Sequence, residues 1–477
     1  MMNGVFAGKH PFMWLVCVLF LCGYRNGSTT KGGVFAESFS KHAYATMLYM
    51  GTPRDYEFYI AVRVMMRSLV NLKVNADLVI IASKDVPLDW GKTLCEDGAR
   101  VVYVDNIDNP YKNQTDFDKR FALSLNKLYA WSLVEYERVV MLDADNIFLQ
   151  KTDELFQCGQ FCAAFINPCI FHTGLFVLQP SEEVFKDMLH ELAAGLKNDD
   201  GADQGFVAAH FNDLLDRPMF HPPSNGSKLN GFYRLPLGYQ MDASYYYLEL
   251  KWDIPCGQNS VITFPSALWV KPWYWWAWPV LPLGLSWHKQ RMETIGYDDE
   301  MPLALAQSMF YLITVVLAIF TRHSFNSQAS PPKFCCLKSV LGCSISAVLR
   351  KLVPFSVAAS YLIPFFLVPK TIHPIMGWGL YLLGSMSFLL VIIKIFHIPV
   401  LAVTVIWIEV FGALLVMAFP LYNNGIVRAL SVAAYAFFAA PFLWRSLVKL
   451  MAYLETCIEH DSLLSRSDQK QSLVKLS

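Results

Sequence analysis

Along the first part of the chain, apolar residues fall into two periodicities. Phe58, Val62, Met65, Met66 and Leu69 recur at helical spacing within residues 55–70, which predicts an amphipathic helix with one buried face. Residues 78–82, 101–104, 162–166 and 175–178 are short apolar runs of strand length. A second helix is predicted over 181–196, where the Ser181 hydroxyl can cap, Glu182 and Glu183 suit the positive end of the helix dipole, and Gly195 lies near the far end. The longest run, VVMLDADNIFL over 139–149, shows no alternation before its acids. Side chains alternate faces along a strand, so this run reads as a strand buried on both faces, with Asp143-Ala144-Asp145 where it leaves the sheet. The rhythm of helices and strands predicts an α/β fold around a parallel-rich sheet.

The pattern changes beyond Met301. Five long apolar segments follow, at 303–320, 352–369, 375–393, 398–419 and 429–448, each long enough to cross a hydrocarbon core of about 30 Å. Near the start, Lys9 and His10 precede a shorter apolar stretch over 12–22, then Gly23 and polar residues 25–30, the form of a secretory signal. The expected organisation is a signal peptide or signal anchor (1–30), a lumenal domain (31–300), a five-span all-α region (301–450) and a cytosolic tail (451–477). With the first domain lumenal, Arg322, Lys333, Lys338, Arg350, Lys351, Lys394, Arg445, Lys449, Arg466, Lys470 and Lys475 fall on the cytosolic side, and Lys370 and Arg428 on the other, which obeys the positive-inside rule. Glu409 sits mid-span, where a charge is costly; Lys394 or His397 could partner it, or it serves transport or a lipid headgroup.

Composition agrees: of 477 residues, 54% are hydrophobic and 16% charged, too apolar for an ordinary soluble enzyme, and a net charge of zero argues against a nucleic-acid partner. Asn113-Gln114-Thr115 and Asn225-Gly226-Ser227 are glycosylation acceptors. Cys95, Cys158, Cys162, Cys169 and Cys256 fall in the lumenal part and allow at most two bridges, whose pairing the sequence does not assign. Cys335, Cys336 and Cys343 lie in a basic loop without zinc-ligand partners and are expected as unpaired or palmitoylated thiols.

Two acids one residue apart at a strand end are either a turn pair or a cation site, because hard carboxylate oxygens suit Mn²⁺ or Mg²⁺ and such a cation neutralises a diphosphate. The motifs around them bear on the choice. Tyr44-Ala45-Thr46-Met47-Leu48 with Tyr56, Lys127, Asp143-Ala144-Asp145, His172-Thr173-Gly174, Asp203-Gln204-Gly205 and Lys271-Pro272-Trp273, in that order, resemble glycosyltransferase family eight, the glycogenin-like enzymes. The whole chain is similar to the plant glycogenin-like starch-initiation proteins, whose members include glucuronosyltransferases.

The resemblance implies a GT-A, Rossmann-like nucleotide-sugar transferase domain that uses Mn²⁺ and a UDP-sugar donor. It implies that Thr46, Met47, Leu48 and Tyr56 meet the nucleotide, that Lys127 contacts the sugar or phosphate, and that Asp143 and Asp145 with Ala144 hold metal and donor. It also implies that His172, Thr173 and Gly174 face the donor sugar, that Asp203 orients it and Gln204 lies near its anomeric carbon, and that Lys271 reaches the departing diphosphate. For four of these the residues leave a second reading open: Tyr56 as packing on the sheet, Lys127 as a solvated face of an amphipathic helix, His172 as a hydrogen-bonded turn residue, and Asp203 as a helix cap.

Two departures stand out. His172 replaces the family's Asn, and Thr263 or a near neighbour stands where relatives carry a His that completes the manganese shell. Asp143 and Asp145 would then hold the ion with diphosphate and water alone, or His288 or His221 would substitute, or turnover is lost.

Six Trp lie between Trp269 and Trp287, expected as an aromatic belt at the bilayer or a platform for a lipid or sugar acceptor. The expected protein is therefore a multi-pass Golgi membrane glycosyltransferase with a lumenal catalytic domain. It would move a sugar, by preference glucuronic acid, with retention to a membrane-associated acceptor such as a sphingolipid headgroup. The alternatives are xylan or another cell-wall glycan as acceptor, and a catalytically silent scaffold of the same fold.

Overall fold

The computed structural model describes residues 40–115, 117–167, 169–244, 259–264, 271–279, 283–325, 344–396, 400–418, 427–449 and 452. The expected signal segment and tail, Cys256, Cys335, Cys336, Cys343, Trp269 and His397 lie outside these residues. The chain divides into two compact units, one of Asn26–Ala277 and Leu281–Gly296, the other of Met1–Arg25, Trp278–Val280 and Tyr297–Ser477.

The first unit is built on a seven-stranded sheet. Its strands are β1 (His42–Leu48), β2 (Asp77–Ser83), β3 (Arg100–Val104), β4 (Arg138–Leu142), β6 (Phe161–Ala164), β7 (His172–Leu178) and β8 (Phe232–Leu235), in the order β3-β2-β1-β4-β7-β6-β8. From β3 to β4 all strands are parallel, as expected. In the other half β7 runs antiparallel to both β4 and β6, while β6 and β8 are parallel, so the sheet is mixed yet parallel-rich, as expected. The connection over 165–171 is too short for a crossover helix, so β6 and β7 pair antiparallel.

The uninterrupted apolar runs are buried on both faces. Tyr44, Ile80, Val140 and Leu142 enter one core with helix α1 (Asp55–Asn71), while Ala45, Val79, Val139 and Met141 enter a second core with Leu125, Trp131 and Phe185. Helices α2 (Leu88–Glu96) and α3 (Glu182–Ala193) follow. As expected, Ser181 caps α3, its hydroxyl accepting from the Val184 N–H at 3.4 Å. Gly195 ends the turn beyond α3 at φ +76°, in the left-handed region glycine favours.

The run over 139–149 is not one strand. It breaks at Asp143-Ala144-Asp145 into β4 and β5 (Asn146–Phe148), and β5 belongs to a second sheet with β9 (Met241–Asp242) and β10 (Val261–Thr263), in the order β5-β10-β9. The two acids therefore sit at the junction of two sheets. For three of the six tryptophans the expectation is corrected: Trp273 and Trp275 are fully buried and Trp287 nearly so, within the first unit, while Trp276 and Trp278 are partly buried. An indole buries 150–250 Å² of largely apolar surface, and here the unit's own core takes it up.

In the second unit the predicted apolar segments are helical. Met301–Phe320, Pro374–Lys394 and Val427–Lys449 are long and apolar enough to cross a membrane by length and composition, whereas Leu352–Leu367 and Trp407–Ala418 are shorter apolar helical stretches. The Glu409 carboxylate accepts from the Tyr435 hydroxyl at 2.7 Å, so a tyrosine, which the sequence reading had not named, partners it. Gly412 makes that approach possible, since a Cβ there would stand 2.0 Å from the Tyr435 hydroxyl.

Candidate active site

Where β4 leaves the first sheet its backbone is pinned from β7: the Asp143 N–H donates to the Gly174 carbonyl at 2.8 Å. Asn146 secures the same turn, its side-chain amide donating to the carbonyls of Gly174 at 2.7 Å and Asp143 at 3.1 Å. Gly174 leaves room for two neighbouring side chains: a Cβ there would lie 2.7 Å from the Gln240 amide and 2.8 Å from the His172 ring, so one of them would have to shift. Asp143 and Asp145 are thus held on a rigid sheet edge.

Five charged side chains gather there. Lys127 Nζ lies 2.9 Å from Asp143 Oδ1 and 2.5 Å from Asp203 Oδ2, and donates to the Thr173 carbonyl at 3.1 Å. These three bonds use every proton of its ammonium. Lys271 Nζ lies 2.6 Å from Asp145 Oδ2. Lys127, Lys271 and Asp203 are buried, while the Asp143 and Asp145 side chains keep 30% and 18% of their surface exposed, so the two acids are the part of the cluster that solvent reaches. Three carboxylates against two ammonium groups leave a formal excess of one negative charge.

Burial pushes the Asp143 carboxyl above its usual range, Lys127 opposes this, and the Asp145 and Asp203 carboxylates add to it. Burial alone would lower Lys127, but Asp143 and Asp203 outweigh it and hold the ammonium cationic. Burial also lowers the His172 imidazole, with Asp143 and Asp145 pulling the other way.

The remaining candidates divide. Thr173 joins the cluster, its hydroxyl donating to Asp203 Oδ2 at 2.8 Å. Asp203 opens helix α4 (Asp203–His210), but the capping carboxylate is that of Asp200, which accepts from the N–H groups of Ala202 at 2.9 Å and Gly205 at 3.1 Å. Asp203 is thereby released for Lys127. Gln204 is half-buried beside it. Lys127 lies on a 3-10 helix over Ser124–Ser132 and is not a solvated lysine of an amphipathic helix.

Thr46 is buried and donates its hydroxyl to the Leu142 carbonyl at 2.8 Å, which ties β1 to β4, and Leu48 is buried in the core, so neither side chain offers itself to a nucleotide. Met47 is partly exposed between them. Tyr56 packs against Tyr59 and Trp90, each at a ring separation of 6.4 Å.

Sequence reasoning missed three contributors. Gln240 is fully buried with its amide 2.7 Å from His172 Nδ1; the Ser124 hydroxyl accepts from the Asp203 N–H at 3.1 Å; and Asn146 holds the turn. Only Asn146, which directly follows the acidic pair, carried a signal that sequence could have used.

The donor chemistry fits a divalent cation in part. Asp143 and Asp145 offer hard oxygens, and at Asp145 an ammonium already stands where a cation would bind. Among the described residues no group of three or more His, Cys, Asp or Glu is placed to hold a metal, so neither His288 nor His221 completes such a set. Thr263 is paired in register with Asn146 and Asp242, and its buried hydroxyl has no hydrogen-bond partner among the described residues. Oxygens of a bound diphosphate and water would complete the shell.

Comparison with known proteins places this chain in a family. The profile of the PGSIP7 C-terminal domain matches residues 299–463. PGSIP8 of Arabidopsis thaliana, named as a candidate glucuronosyltransferase, is 61% identical over 89% of this chain and 85% of its own length. PGSIP7 of the same plant, named likewise, is 59% identical over 89% and 86%. The inositol phosphorylceramide glucuronosyltransferase 1 of Arabidopsis thaliana is 31% identical over 59% of this chain and 50% of its own. With identity of that order along nearly the whole of PGSIP8 and PGSIP7, the chain belongs to the PGSIP-type glycosyltransferases.

Proposed function

We propose that the first unit is a GT-A type, divalent-metal-dependent transferase that moves glucuronic acid from UDP-glucuronate, with retention, to a membrane-associated acceptor. The observation that carries this is the convergence of Asp143, Asp145, Lys127 and Lys271 at the end of β4, beside Thr173 and Asp203. Ligands of α/β sheets bind beyond the carboxyl ends of strands, and a diphosphate needs concentrated positive charge there.

In this reading Asp143 and Asp145 hold Mn²⁺ or Mg²⁺, which supplies Lewis-acid stabilisation of the departing UDP. Lys271 adds a second positive charge to the leaving diphosphate. Lys127 neutralises Asp143 and Asp203 and fixes their carboxylates, Thr173 with Asp203 orients the sugar hydroxyls, and Gln204 lies toward the reacting carbon. Charge stabilisation at the leaving group, and no protein nucleophile, carries most of the rate.

Glucuronate as donor is supported by the names of PGSIP8 and PGSIP7, and a sphingolipid headgroup as acceptor by the name of the third relative. The buried tryptophans lend the lipid acceptor no support. The deciding experiment incubates full-length protein in detergent with Mn²⁺ and a panel of UDP-sugars, then adds inositol phosphorylceramide or xylan oligosaccharides. UDP release is expected with UDP-glucuronate and transfer with the lipid. Transfer to xylan alone replaces the acceptor, and no turnover of any donor leaves a silent scaffold, a reading to which the lysine already paired with each carboxylate gives some weight.

The same proposal places the protein in the Golgi membrane with the first unit lumenal, followed by five spans and a cytosolic tail. A lumenal compartment is oxidising, which suits the Cys158–Cys162 disulfide; Cys95 and Cys169 are free and exposed. Asn113 and Asn225 are both exposed, as glycosylation requires. Glycosidase treatment should shift the protein's mass through one of them, and a tag after Ser477 should be reached from the cytosol in intact vesicles. A protected tag would change the number of spans.

A further inference from the structure

At the amino ends of β1 and β4, where His42 pairs in register with Arg138, the first unit holds a cavity of about 200 Å³. The acidic pair follows the other end of β4. The cavity is lined by the stacked rings of His42 and Phe156, 4.8 Å apart, by Asp153, Gln157 and Lys228, and by the turn at Gly226. Two buried atoms of these residues, His42 Nδ1 and Gln157 Oε1, have no hydrogen-bond partner among the described residues. Unpaired buried polar atoms are costly, so a guest that bonds to them gains affinity. Asp153 and Lys228 carry opposite charges, which disfavours a free anion and a free cation alike. Burial, then Lys228, Arg138 and Lys41, lower the His42 imidazole to about 4 against the opposing pull of Asp153, and so keep it neutral. The volume lies below the roughly 300 Å³ at which drug-sized sites begin. These features suit one uncharged, hydroxyl-bearing ring with an apolar face for the aromatic pair, which is the chemistry of a sugar.

The chain itself carries an attachment point for such a ring at the rim. Gly226 is the middle residue of Asn225-Gly226-Ser227. Asn225 Oδ1 accepts from the Ser227 N–H at 3.0 Å, which orients the carboxamide and leaves its nitrogen for substitution. The Leu229 N–H donates to the Gln157 carbonyl at 2.8 Å, and Arg138 donates to the Leu229 carbonyl at 3.3 Å, so this segment is held beside the cavity. We propose that the cavity seats the first N-acetylglucosamine of a glycan on Asn225, bonded through its hydroxyl and acetamido groups to Gln157, His42 and Asp153. This rests on the lumenal placement of the first unit in the proposed function, and it gives one of the two acceptors a structural role. In the attachment the Asn225 amide nitrogen bonds to C1 of a lipid-diphosphate-linked oligosaccharide, gives up a proton, and the lipid diphosphate leaves, so no cavity residue has to react. A sugar tethered this closely has an effective concentration on the order of millimolar, enough to fill a weak site.

The test uses full-length protein in detergent, made in eukaryotic cells restricted to oligomannose glycans, with occupancy of Asn113 and Asn225 read by peptide mass spectrometry. Ser227→Ala removes the acceptor sequence but keeps Asn225 and the Ser227 backbone N–H that its carboxamide binds. Its thermal midpoint should fall by about 3 °C, whereas Asn113→Gln should stay within about 1 °C of the wild type. Endoglycosidase H, which trims each glycan to a single N-acetylglucosamine, should leave the wild-type midpoint unchanged, because only the first ring is seated. Gln157→Met keeps the volume and removes the unpaired carbonyl, so adding Ser227→Ala to it should cost about 1 °C at most.

The seat is overturned if Asn225 carries a glycan and Ser227→Ala melts with the wild type, which would mean that the cavity holds water only. It is also overturned if the midpoint falls in Asn225→Gln but not in Ser227→Ala, since the turn and not the sugar then matters. A glycan on Asn113 with none on Asn225 overturns the seat and leaves the lumenal placement standing. No glycan on either residue defeats the lumenal placement, and the seat falls with it.

Discussion

Asp143→Asn is expected to leave the first unit folded and to abolish its metal-dependent chemistry. The substitution keeps an oxygen that can accept from Lys127, whose other bonds to Asp203 and the Thr173 carbonyl remain, so the change in stability should be about 1 kcal/mol. The carboxylate charge is lost, and with it one of the two hard anions at the junction of the sheets. Affinity for UDP with Mn²⁺ should fall at least about tenfold. Turnover should fall by about a hundredfold, because stabilisation of the leaving group is where the rate is won. Equal Mn²⁺–UDP affinity in wild type and variant, measured by calorimetry, would show that the acidic pair only shapes a turn.

Lys127→Met should have the opposite character, damaging the fold as well as the site. The Lys127 side chain is only 2% exposed and Asp203 8%, so removing the ammonium leaves Asp203 buried without its counter-ion and Asp143 poorly compensated. Breaking a buried pair in this way costs about 3 to 5 kcal/mol. For a unit of this size the thermal midpoint should drop by on the order of 10 °C. Lys127→Met combined with Asp203→Asn should recover part of that loss, since the second change removes the stranded charge. A midpoint within about 2 °C of the wild type for Lys127→Met alone would contradict the buried network.

These predictions depend on residues that were legible in sequence to different degrees. Asp143 and Asp145 were placed at a strand end by the uninterrupted apolar run that stops at them, but only the surrounding motifs favoured a cation site over a turn pair. Lys127 had no such marker. Its neighbours Leu125, Leu128 and Trp131 gave the outline of an amphipathic helix, and nothing local says that a lysine will point inward to carboxylates on β4 and at the start of α4. Asp203 likewise read as a cap, because the competing cap, Asp200, is identified only by which carboxylate reaches the N–H groups of Ala202 and Gly205.

The tryptophans failed for a related reason. Composition shows how much apolar surface a segment carries, and not whether a bilayer or the unit's own core covers it. Trp273, Trp275 and Trp287 turned inward.

What the sequence alone determined is what short-range periodicity and length control: the helix at Asp55–Asn71, the existence of strands β2, β3 and β4, the Ser181 cap, and apolar helical segments beyond Met301. These follow from the alternation of side chains along a backbone and from the reach of a helix, which neighbours in sequence suffice to specify. The antiparallel half of the sheet, the split of one apolar run between two sheets, the Cys158–Cys162 pairing and the assignment of each lysine to its carboxylate were decided by the tertiary structure. Apart from the Cys158–Cys162 bridge, whose partners are four residues apart, each depends on groups far apart in the chain, and a buried charge takes whichever counter-ion the packed fold brings within about 3 Å, because at that depth little water remains to serve instead.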